Sequence, residues 1–123
     1  MGLLKKSKNN LDRLYTDTFS IYRSISQDDG FGGTIEKEVL ISEKNPCRLS
    51  QKTISATVES INFTSIQEFR LFIPLNIEVL QNDKLEVYRG SSKYTARASL
   101  PFKYVDVLPH QEIVLKEVIE NGD

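Results

Sequence analysis

The chain has one cysteine and one histidine among its 123 residues. With Cys47 alone, no intrachain disulfide can form, which fits a reducing compartment. A lone histidine, His110, leaves no acid–histidine–nucleophile set to argue for. One His and one Cys with scattered acids do not make a metal site. No apolar run approaches the ~20 residues of a membrane span. "MGLLKK" lacks the apolar stretch of ~7–15 residues that a secretory signal needs, and Met1-Gly2 is at most a weak match to an acylation start. No nucleophile elbow, phosphate loop or dinucleotide fingerprint occurs. "GFGG" (30–33) has no following Lys-Ser/Thr to make it a phosphate cradle, so it reads as a loop. Nothing points to an enzyme, and no cofactor is expected.

Charge is nearly balanced, at a formal net of -1, so no strong overall field draws the chain to nucleic acid or lipid. Its distribution is uneven. Lys5, Lys6, Lys8, Arg13 and Arg23 face only Asp12 and Asp17 in residues 1–23, a local +3 that leaves -4 for the remainder. Residues 1–16 read as a basic amino-terminal arm. It is either a contact for phosphate or an acidic partner, or a frayed terminus. Within it Leu11, Leu14 and Tyr15 share a helical face behind an Asn10 cap, which predicts a short docked helix over 9–16.

What is abundant is period-two patterning. "TFSIYRSIS" alternates Phe19, Ile21 and Ile25 with polar residues, and "QDDGFGG" then supplies a loop. "TIEKEVLI" and "PCRLS" predict two further strands, with Val39 and Ile41, then Cys47 and Leu49, on their inner faces. Cys47 is expected in the core. Strands follow at 69–73, 84–88, 93–99 and in "FKYVDVL" and "QEIVLKEVI", with Pro101 and Pro109 at the breaks. Pro74 ends one strand, and Asn82-Asp83 turns the chain into the next. About eight strands over 17–120 read as one all-β domain, a sandwich or a small antiparallel barrel. We expect the barrel, because closure removes free edges.

Between Gln51 and Gln67 the composition changes to serine and threonine, with a shift of parity at Glu59-Ser60. This predicts a hairpin projecting on the order of 20 Å, or an ordinary hairpin in the sheet. Tyr22, Phe72, Tyr88, Tyr94 and Tyr104 could stack nucleic-acid bases, but no basic stripe runs between them. Core or interface roles suit them better.

The order of a first strand, a Gly/Asp loop, "NPCRLS", a Ser/Thr-rich insertion, "FRLFIPLNIEVLQNDKLEV", "KYTA" and "LPHQEIVLKE" resembles the head-closure, or stopper, family. These are small head–tail connector proteins of long-tailed bacteriophages and prophages. The resemblance covers roughly residues 17–118. It implies a subunit, made in the bacterial cytoplasm, of a homo-oligomeric ring of six or twelve copies at the virion neck, with the monomer as its form in isolation. Its partners would be portal and adaptor proteins, tail proteins and packaged double-stranded DNA, with no membrane. By position, Lys52, Thr53, Ile54, Ser55, Ala56, Thr57, Val58, Glu59, Ser60, Ile61, Asn62, Phe63 and Thr64 would form a channel or gating loop. Lys5, Lys6, Lys8, Arg13, Asp28, Asp29 and Phe31 would be partner contacts. A tail-completion protein, or an independent small barrel that binds nucleic acid or protein, stands as the alternative.

Overall fold

The structure, a computed structural model, describes residues 14–57, 63–106 and 108–121, with the side chains of 54–57 and 63–66 outside that description. Seven strands are present among the described residues: β1 (Asp17–Asp28), β2 (Thr34–Thr57), β3 (Phe63–Ile73), β4 (Lys84–Arg89), β5 (Ser92–Ala98), β6 (Phe102–Tyr104) and β7 (His110–Glu120). All pairings are antiparallel. The ladders run β3-β2-β1-β4-β5-β7-β6, and β3 also pairs with β7 from Phe69↔Leu115 to Ile73↔Gln111. That last pairing returns the series to its start, so β1, β2, β3, β7, β5 and β4 form a closed circuit with β6 appended to β7.

The core follows from the pleat, in which alternate side chains point to one face. Each strand of the circuit contributes two buried apolar residues at i and i+2 among the described side chains. They are Phe19 and Ile21, Cys47 and Leu49, Leu71 and Ile73, Leu85 and Val87, Ala96 and Ala98, and Ile113 and Leu115. Ala96 and Ala98 of β5 are the small members of this core, among the larger side chains of the other strands. Burial, and then the adjacent Asp17 carboxylate, push the Cys47 thiol far up, so it remains an inert core thiol.

The segment from Pro74 to Asp83 crosses one end of this circuit. Proline has no N–H for the ladder, so β3 stops there. Val79 then enters the core from the crossing segment. Gln111, almost wholly buried, donates through Nε2 to the carbonyls of Pro74 (2.9 Å), Leu75 (3.4 Å) and Ile77 (2.7 Å). One amide thus satisfies carbonyls that no strand reaches. Asn82 takes a left-handed conformation (φ 74°), which asparagine tolerates, and its N–H donates to the Ala98 carbonyl at 2.7 Å.

Four expectations are corrected or fall outside the described residues. The helix over 9–16 falls mostly outside the described residues, and its described members, Leu14, Tyr15 and Thr16, are not helical. "TIEKEVLI" and "PCRLS" are not two strands. They belong to the single 24-residue β2. An irregular register between Phe19 and Tyr22, opposite Asn45 to Leu40, absorbs the parity change without ending the strand, and Lys44 takes a positive φ of 57° there. "FKYVDVL" yields only the three residues of β6. Ile25 and Ile41, expected inward, are exposed: Ile25 lies beyond the last β1–β4 pair, and Ile41 is the residue left over at the register shift between Ile21 and Tyr22.

Candidate interaction surfaces

Three features are not consumed by the core: two ribbons and an edge. The first ribbon is the outer half of the β1–β2 hairpin. β1 pairs with β4 only as far as Tyr22↔Lys84, yet it continues with β2 from Arg23↔Val39 to Asp28↔Thr34. Six cross-strand pairs therefore stand free, a reach on the order of 20 Å. Their two faces differ. Arg23/Val39, Ile25/Lys37 and Gln27/Ile35 share the face continuous with the core residues Phe19 and Ile21. Ser24/Glu38, Ser26/Glu36 and Asp28/Thr34 share the other. One face is apolar and basic, and the other is acidic and hydroxylic.

This ribbon is stiffened at both ends. At its base Arg23 donates to Asp83 through Nε (3.0 Å) and Nη2 (2.9 Å), and Asp83 also accepts the Leu80 N–H at 2.8 Å. The bidentate pair raises the Arg23 pKa, the hydrogen bond to Asp83 outweighing burial. Glu38 adds ion pairs to Lys84 (3.2 Å) and Arg97 (3.7 Å). At the tip, Asp28 Oδ1 accepts the Gly30 N–H (2.9 Å). Asp29 Oδ1 accepts those of Phe31 (2.7 Å) and Gly33 (3.0 Å). Gly30 and Gly32, at φ 81° and 84°, allow the tight turn. Phe31 is thereby held out from the tip with 94% of its surface exposed.

The second ribbon is the outer half of the β2–β3 hairpin. β3 leaves β7 at Phe69↔Leu115, while β2 and β3 continue from Lys52↔Glu68 to Thr57↔Phe63. Gln51 Nε2 and Thr53 Oγ1 donate to Gln67 Oε1 at 2.7 and 3.3 Å, which ties the arms at the base. Lys52 and Thr53 are exposed, and Ile54, Ser55, Ala56, Thr57, Phe63 and Thr64 lie in the paired arms. Val58, Glu59, Ser60, Ile61 and Asn62 lie outside the described residues, as do Lys5, Lys6, Lys8 and Arg13. Because β2 belongs to both ribbons, they leave opposite ends of the circuit. The candidates Asp28, Asp29 and Phe31 are therefore not brought together with the 52–64 set.

The third feature was not anticipated from the sequence. β6 pairs with β7 on one side only, and around it Leu100, Phe102, Tyr104, Val105 and Leu108 are exposed. Phe102 packs on Tyr104 (centroids 4.8 Å), which stacks on His110 (4.8 Å, 8° between planes). His110 bonds Glu112 (3.1 Å) and the Leu108 carbonyl (2.6 Å), and Arg70 Nη1 reaches Glu112 at 3.3 Å. His110 is thus the first residue of β7 and packs in this edge. A groove of about 450 Å³ lies alongside, bounded by Leu14, Tyr15, Arg48, Phe72 and Leu108 among others. The available signal was "SLPFKYVDVLP", apolar without clean alternation and bracketed by prolines. That pattern suits an exposed edge better than a core strand.

The chain matches no protein-family model and no curated protein sequence. Among solved structures it is similar to the phage-like element PBSX protein xkdH from Bacillus subtilis. Identity is 16%, the match covers 81% of this chain and 92% of that one, and the TM-score is 0.47. At that identity and score the likeness decides neither family nor role.

Proposed function

We propose that this protein is a structural subunit of a phage or prophage neck, which assembles as a ring below the portal and adaptor and helps close the filled head. The observation that carries the reading is the pair of ribbons leaving opposite ends of one strand-closed body. A subunit so built reaches two neighbours, or a neighbour and a lumen, from one strand-closed body. We read the closed circuit as a small barrel. The motif order over 17–118, which resembles the stopper family, supports the same role.

In this reading the β2–β3 ribbon projects into the channel. Residues 52–64 contain one basic residue, Lys52, one acid, Glu59, and many hydroxyls. A segment without net charge does not grip phosphate, so it would obstruct DNA sterically rather than bind it. Exchanging residues 54–64 for a short glycine-containing turn should leave the body folded, because the core residues Cys47, Leu49, Leu71 and Ile73 of these two strands lie outside that span. Filled heads carrying the variant should lose packaged DNA, measured by nuclease sensitivity. Retention equal to the wild type would overturn the gating role. The ring itself is tested by adding the protein to purified portal–adaptor complexes and imaging them. Added ring density is expected. No binding, together with salt-sensitive binding to free DNA, would instead make it an independent nucleic-acid-binding module.

A further inference from the structure

The ring reading does not say which surfaces of the subunit meet. Two surfaces left exposed among the described residues are suited to each other. One is the apolar and basic face of the β1–β2 ribbon, with Ile25 and Ile35 exposed, Lys37 between them and Phe31 at the tip. The other is the β6 edge, with Leu100, Phe102, Tyr104 and Val105 exposed and Asp106 beside them. Apolar surface would meet apolar surface, and the Lys37 ammonium has a carboxylate to face. Lys103 does not oppose this. It alternates with Phe102 and Tyr104 and lines the cavity that Leu100 shares with residues 75–80.

Topology places the two surfaces usefully. In the circuit β1-β2-β3-β7-β5-β4, β1 stands three strands from β7 in either direction. The ribbon and the β6 edge are therefore on opposite flanks. They also belong to the same end of the body. The ribbon is anchored there by Arg23 on Asp83, and Leu100, Pro101 and Lys103 share a cavity with the crossing segment 75–80. Two different complementary surfaces on opposite flanks make a heterologous contact, which propagates head to tail and closes as a ring when the rotation per subunit permits.

We infer that the apolar face of the β1–β2 ribbon of one copy packs against the β6 edge of the next copy. This rests on the ring reading and names its contact. Each surface is a few side chains wide, so the contact is weak between free subunits and forms where subunits are concentrated.

The test uses the full chain and cysteine cross-linking with a short bismaleimide, since the wholly buried Cys47 is silent. Phe31→Cys and Phe102→Cys chains, mixed at high concentration or on portal–adaptor complexes, should give dimers well above either chain alone. The double variant should give a ladder of multimers. Thr53→Cys mixed with Phe102→Cys should give none. If rings form, by native mass spectrometry or imaging, while the Phe31/Phe102 mixture cross-links no better than the single chains, the contact lies elsewhere. The inference then fails while the ring reading stands. If no oligomer appears under any of these conditions, both fail. A second measurement does not depend on cysteine placement. Lys37→Glu or Asp106→Lys should each weaken self-association about two- to fivefold, as expected for a rim ion pair. The double exchange should restore it, and no restoration counts against the pairing.

Discussion

The two ribbons differ although they share a strand and are about the same length. Both are continuations of β2, and each extends six cross-strand pairs beyond the body. The β1–β2 ribbon is built to hold one shape. It has a bidentate ion pair at its base, carboxylates bonding backbone amides at its tip, and faces of opposite character. The β2–β3 ribbon has a glutamine and threonine tie at its base, and its sequence is rich in hydroxyls with little charge. A ribbon with distinct faces and a rigid tip can recognise a surface. A ribbon with one basic and one acidic residue and many hydroxyls has no net charge with which to grip phosphate. The backbone device is the same in both, and the side chains distinguish them.

The strongest way to break this contrast is at the base of the first ribbon. Asp83→Ala leaves Arg23 without its partner and the Leu80 N–H without its acceptor, in a place where Asp83 is only 3% exposed. Arg23 retains some solvent, so the cost is about 2–3 kcal/mol rather than the upper value for a fully buried pair. Urea unfolding should show the loss. Hydrogen exchange should rise in residues 23–28 and 34–39 but not at 51–53 and 67–69. Equal acceleration of both ribbons would mean that Asp83 braces the whole body and not one ribbon.

A smaller effect is expected at the tip. Asp29→Ala removes one acceptor of two backbone N–H groups, worth about 1 kcal/mol. Amides 30–33 should exchange faster with little change in the global midpoint. An unchanged exchange pattern would show that the glycines hold the turn without the carboxylate.

The smallest effect serves as a control on the wall between the ribbons. At Glu86 burial alone would raise the carboxyl pKa, but the Lys93 ammonium at 3.3 Å and hydroxyls of Tyr88 and Tyr22 hold it below the ordinary carboxylate value. A depressed folded value means stability that is present above the unfolded pKa and lost as pH falls through the folded one. Glu86→Gln should cost about 0.5 kcal/mol at neutral pH, since Lys93 is well exposed, and nothing in strong acid. Its urea midpoint should converge with that of the wild type below the carboxylate range. A constant gap at all pH values would show that packing, not charge, was lost.

Much of the body was legible in the residues. Phe19 and Ile21, Cys47 and Leu49, and Leu71 and Ile73 alternate because one face of each strand meets the core, and all are buried. Pro74 and Asn82-Asp83 mark real boundaries, since a missing donor and a left-handed turn act locally. The hairpin around residues 51–67 was likewise visible as a composition change. The unity of β2 was not, because a bulge shifts parity in the same way that a strand end does. Nor was the β6 edge, whose apolar residues look like core until the pairing partner on one side is seen to be absent.

By itself, the sequence determined the strand-rich class, the inward residues of most strands and the polar character of the 51–67 hairpin. These depend on period, proline and turn chemistry, which are local. Only the tertiary structure decided that β3 returns to β7 to close the circuit and that Asp83 anchors a ribbon through Arg23, sixty residues away. It also decided that two apolar surfaces stand on opposite flanks of one end. Those are contacts between residues far apart in the chain, and no periodicity along the chain carries them.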